Sequence, residues 1–113
     1  MNSAWEHFFA ATAVLASSGP IKHRLAEAYR AHLEGIDQDE LPKEIRDDYS
    51  TLSTCMRRVR PMRGETAIQA TVRKMSDLEA GDVAVKIVNM LAVIARAQGQ
   101  QRPKLRAVNS GED

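Results

Sequence analysis

Apolar residues recur at three- and four-residue intervals through most of this chain, and Gly, Pro and capping residues cut the pattern into helical stretches. The strongest pattern is Asp77 to Ala97, DLEAGDVAVKIVNMLAVIARA. Ser76 and Glu79 form a capping box that marks its start. Ala80, Ala84, Ile87, Val88, Leu91, Ile94 and Ala95 fall at helical spacing, and Val83, Met90 and Ala97 extend the apolar surface to a second face. Only Asp82, Lys86, Asn89 and Arg96 make a polar stripe, interrupted by Val93. A helix so nearly apolar all round calls for burial on most sides. It reads as the central helix of a small bundle or as the seam of a dimer.

Four weaker patterns precede it. A first helix is predicted over Ala4 to Ser17, with Trp5, Phe8, Phe9, Thr12, Leu15 and Ala16 on one side, ended by Gly19-Pro20. A second covers Pro20 to Glu34, its core stripe being Ile21, Leu25, Ala28, Tyr29, His32 and Leu33. Gly35 follows where a left-handed residue closes a helix. Pro42 to Val59 is a third, striped by Ile45, Tyr49, Leu52, Cys55 or Met56, and Val59 after the leading Leu41. After the breaker Arg60-Pro61-Met62-Arg63-Gly64, the period of Ala67, Ile68, Thr71, Val72 and Met75 predicts a short helix. The alternation of Ile68, Ala70 and Val72 is its extended alternative. The expected fold is all-α: a compact bundle of four to five helices over 1–98, with the long C-terminal helix central, and a polar, basic tail over 99–113.

A length of 113 residues suits one domain able to bury roughly two thirds of its unfolded surface. Few residues are aromatic, so aliphatic side chains and alanine must build the core. Cys55 is the only cysteine, which rules out an intramolecular disulfide or a zinc site on two thiolates and suits a reducing cytoplasm. Phe8 to Ala16 is apolar enough to suggest a signal peptide. Glu6 replaces the positive flank that such a leader needs, and Ser3 with Glu6 makes a capping box, so a helix is expected instead. No run approaches the ~20 apolar residues that span a bilayer.

Charge is unevenly placed. Glu34 to Asp48 holds seven acids against two bases, a net of −5, whereas Tyr49 to Met75 holds six bases against one acid, a net of +5. Either the two blocks neutralise each other, or Arg57, Arg58, Arg60, Arg63, Arg73 and Lys74 form a surface for phosphates or for a protein partner. Ile45–Val59 and Glu65–Met75 can be drawn as a helix-turn-helix, with Gln69, Thr71, Arg73 and Lys74 facing a groove.

Chemistry is sparsely supplied. His23 and His32 point to opposite sides of one helix, and His23 with Glu27 is a bare two-ligand pair. His7 sits beside Phe8, Asp47 and Asp48 diverge on their helix, and Cys55 on an apolar stripe reads as an inert thiol. There is no glycine-rich phosphate loop. These features predict no catalytic residues, no cofactor and no metal. They point to a small non-catalytic cytoplasmic protein acting through protein–protein contacts as a homodimer. A small nucleic-acid-binding or regulatory protein using the arginine-rich loop and basic tail is the alternative. Met62 and Met75 are expected on the contact surface.

Overall fold

The computed structural model describes residues 3–100, and they form an all-α bundle. Five helices follow in order: α1 (Ser3–Leu15), α2 (Ile21–Ala28), α3 (Lys43–Met56), α4 (Ala67–Lys74) and α5 (Asp77–Gln100). α1 lies against α5 and α2, α2 against α5 and α4, and α3 against α4 and α5. Phe8, Leu25, Tyr29, Leu33, Ile45, Met56, Ile68, Ile87 and Ile94 share one core, every helix contributing. Phe8 meets Tyr49 edge-on, with ring centroids 6.4 Å apart.

Each junction has a local cause. The Arg24 guanidinium donates to the carbonyls of Leu15 and Gly19, tying off the end of α1. Beyond Ala28 the chain widens into a π turn, Tyr29–Leu33, closed by the Glu34 amide on the Tyr29 carbonyl at 2.9 Å. Gly35 then reverses direction at φ +82°, the left-handed conformation its position predicts. Tyr49 holds this corner from α3: its hydroxyl donates to the Leu33 carbonyl at 2.6 Å and accepts from the Ile36 amide at 3.0 Å. A single 3₁₀ turn, Gln38–Glu40, leads to α3 and is clasped by Arg46, which donates to the Leu41 carbonyl at 2.9 Å.

Residues 65–75 resolve as helix, not strand. α4 starts from a capping box of Thr66 and Gln69, with bonds of 3.0 and 2.9 Å, and buries Ile68, Ala70, Thr71 and Val72. α5 starts at the expected Ser76–Glu79 box, again with bonds of 2.9 and 3.0 Å. It runs three residues past Ala97, because Gln98 and Gly99 continue the helical backbone instead of ending it. The side chain of Ser3, on which the Ser3–Glu6 box depends, and the tail from 101 onward lie outside what the structure describes.

Two expectations about burial change. α5 is not covered on most sides: Ala80, Val83, Ala84, Ile87, Met90 and Ile94 are buried, but Leu78, Val85 and Val88 are 77%, 58% and 42% exposed. Ala92 and Ala95 are exposed as well. On α1, Phe9 belongs to the outside and not to the core stripe, at 53% exposure, stacked on Trp5 with centroids 5.1 Å apart.

Candidate interaction surface

The six cations singled out by the sequence do not form one cluster of free charges. Arg57, just past the end of α3, pairs with Glu34 at 2.9 Å and so joins the basic block to the acidic one. Arg73 forms a two-pronged pair with Glu65, at 2.7 and 3.1 Å, and Glu65 also accepts the Met62 amide at 3.0 Å. The guanidinium holds the Glu65 carboxyl below its ordinary range, and the carboxylate in turn raises Arg73. Arg58, Arg60, Arg63 and Lys74 are exposed and make no ion pair among the described residues. The block is therefore one-third neutralised: one cation is paired with the acidic block, one with a local acid, and four face solvent.

The helix-turn-helix drawing fails on its second helix. Thr71 is fully buried, and its hydroxyl accepts the Val59 amide at 3.1 Å, fastening the α3–α4 loop to α4. Gln69 is committed to its cap and Arg73 to Glu65, which leaves only Lys74 of the four proposed groove contacts unengaged. The connection from Met56 to Ala67 is also far longer than that motif's turn. Met75 is buried, so of the two methionines only Met62 reaches the surface.

The larger feature lies on α5, the helix that the sequence reads as central or as the seam of a dimer. The exposed apolar side chains of α5 are not scattered. Leu78, Gly81, Val85, Val88, Ala92 and Ala95 alternate steps of three and four, which places them along one outward stripe. The core side chains Ala80, Val83, Ala84, Ile87, Met90 and Ile94 run along the opposite side. α1 borders the outward stripe: Thr12, Leu15 and Ala16 line a shallow apolar groove of about 280 Å³ together with Ala84, Val85 and Val88. The Thr12 hydroxyl is buried there without a hydrogen-bond partner among the described residues. Phe9 and Ala13 of α1 are exposed as well. The signal was present in the sequence as two interleaved seven-residue repeats, which a search for one helical face merges into one.

A second groove, of about 260 Å³, separates α3 from α5. Ile45, Leu52, Val83, Met90 and Val93 line it, with Asp48, Thr51, Lys86 and Asn89 as its polar members. Cys55 also lines it and is half-buried, less enclosed than its place on the stripe suggested. None of the three histidines is in this groove, so the thiol has no imidazole to activate it. Glu27 is held by Arg30 at 2.9 Å, which competes with any use beside His23. Among the described residues no three His, Cys, Asp or Glu side chains gather into a metal-binding group. Nor is any helix there long and apolar enough to cross a membrane. Comparison with known proteins finds no matching family, no similar curated protein and no similar solved structure.

Proposed function

We propose that this chain is a small non-catalytic protein that acts through protein–protein contacts, as a homodimer, with the outward face of α5 and the adjoining edge of α1 as its contact surface. One observation carries the reading: Val85 and Val88, exposed on α5, adjoin the Ala16 edge of α1 and lie on one helical stripe with Leu78, Ala92 and Ala95. Single exposed apolar residues are ordinary, whereas a continuous stripe costs solubility unless something covers it. A two-fold dimer covers it with the same surface from another copy. A cytoplasmic setting fits the single thiol. The test is solution mass by light scattering across a wide range of protein concentration. A rise from the 12.5 kDa monomer to twice that mass supports the reading, and a monomer throughout overturns it.

A second reading rests on the four cations of the α3–α4 loop and the α4 end that have no ion pair among the described residues. Arg58, Arg60, Arg63 and Lys74 would contact phosphates of a nucleic acid. Anisotropy titrations of labelled single- and double-stranded nucleic acid at roughly 50 and 200 mM salt decide it. Steeply salt-dependent binding that is lost in the Arg58, Arg60 and Arg63 alanine variants supports it, and no binding at the lower salt removes it.

A further inference from the structure

The homodimer reading leaves the arrangement of the two chains open, and the residues flanking the outward stripe select one. We infer that two copies pair α5 against α5 antiparallel, about a two-fold axis near Met90, with Asp82 of each chain opposite Arg96 of the other. This rests on the homodimer proposal and goes beyond it in naming orientation, register and the residues that set them.

The stripe is a heptad seam. Leu78, Val85 and Ala92 occupy its a positions, and Gly81, Val88 and Ala95 its d positions. In an antiparallel pair, a residues pack in layers with d residues of the other helix. The register centred near Met90 places Val85 over the partner's Ala95 and Val88 over the partner's Ala92. Every central layer then holds one valine and one alanine, so the helices keep one spacing along the seam. A parallel in-register pair stacks valine on valine and alanine on alanine, which makes thick and thin layers that two straight helices cannot both close.

Charge selects the same arrangement. Asp82, Asn89 and Arg96 lie along one edge of the seam, at its e positions, and all three are exposed. Neither Asp82 nor Arg96 makes an ion pair among the described residues. Fourteen residues separate them, about 21 Å along the helix, so they cannot meet within one chain. Antiparallel helices bring e positions to e positions. The chosen register sets Asp82 opposite the partner's Arg96, its two-fold image opposite that pair, and Asn89 beside the partner's Asn89. A parallel pair would instead face Asp77 with the partner's Asp82, two like charges. α1 borders the seam on the other side, along Ala84, Val85 and Val88, while on this side Asn89 also lines the groove between α5 and α3.

The experiment is a charge exchange in the full chain, read as dimer dissociation constant by sedimentation at low salt, with circular dichroism confirming the fold. Asp82→Arg alone and Arg96→Asp alone each create two like-charge pairs and raise the dissociation constant about tenfold or more. The double variant restores opposite charges and returns to within about threefold of the parent. At about 1 M salt the single-variant penalties shrink, since charges are screened within about 3 Å. Ala92→Glu, at an exposed position opposite the partner's Val88, separates the chains whatever the flanking charges. If the parent dimerises but the single exchanges leave its affinity unchanged, the register is wrong while the homodimer stands. If Ala92→Glu also stays dimeric, the seam is not the interface. A parent that is monomeric throughout overturns the homodimer and this register together.

Discussion

Ile87 and Val88 are chain neighbours of nearly the same chemistry, about 100° apart around α5, and only the first faces the core. Ile87 is fully buried and Val88 is 42% exposed. Ile87→Ala removes three carbons from the core, worth about 2.4 kcal/mol at ~0.8 kcal/mol per buried methylene. A residual void on the order of 50–80 Å³ adds roughly 1–2 kcal/mol at ~24 cal/mol per Å³. Alanine's better helix propensity returns a few tenths, leaving a cost of about 3–4 kcal/mol. Val88→Ala removes two carbons that are already partly in water, worth under ~1 kcal/mol, and the same propensity gain brings it near zero. Urea unfolding of both variants in dilute solution, with unchanged slope, measures the difference. Equal costs, or a larger cost at Val88, would refute the two-faced description of α5. If the outward stripe is an interface, the Val88→Ala cost also grows with protein concentration, and the Ile87→Ala cost does not.

Three further outcomes follow from the junctions. Thr66→Ala removes one half of the α4 capping box and lowers stability by ~0.5–2 kcal/mol in chemical denaturation; no change would mean that the box contributes nothing. Tyr49→Phe leaves the Leu33 carbonyl and the Ile36 amide without their partner, costs ~1–3 kcal/mol, and speeds hydrogen exchange at Ile36; unchanged exchange would argue against the bond. Glu65, held below its ordinary value of 4.5 chiefly by Arg73, contributes stability that is present at neutral pH and lost as pH falls below 4.5 through its lowered value. Thermal midpoints across that window should fall less steeply in Glu65→Gln than in the parent, and identical slopes would contradict the pairing.

The fold was legible because local signals agreed with one another. Helical spacing, Gly19-Pro20, Gly35 and the Ser76–Glu79 box located helix boundaries to within a few residues. Of the positions in the period of α4, Ile68, Thr71 and Val72 are buried and Ala67 is half-buried, while Ala70, outside that period, is buried as well. What stayed hidden depends on contacts distant in sequence. The π turn at Tyr29–Leu33 is secured by Tyr49, and no pattern in 21–34 reports a hydroxyl arriving from α3. The basic residues were visible, but their partners were not. Arg57 meets Glu34 across 23 positions, and Thr71 is turned inward by a bond to Val59 that a surface reading of the loop cannot supply. The Thr66–Gln69 box was readable, since it has the same spacing as the box at Ser76.

The position of α5 could not follow from composition, because a helix apolar on two opposite sides has two solutions. Either it sits in the middle of one domain, or each side is covered by a different chain; the sequence of α5 is the same under both. Lengths of the neighbouring elements favour the second. α5 has 24 residues and is about 36 Å long, while α2 and α4 have eight each and reach about 12 Å. α1 and α3, with 13 and 14 residues, reach about 20 Å. Elements so short must pack on one another as well as on α5, and they converge on the side that carries Ala80, Ile87 and Ile94. Nothing of comparable length remains among the described residues for the side that carries Val85 and Val88. Among the described residues, the only helix long enough to match that stripe is α5 itself, which is why the proposed cover is the α5 of a second copy.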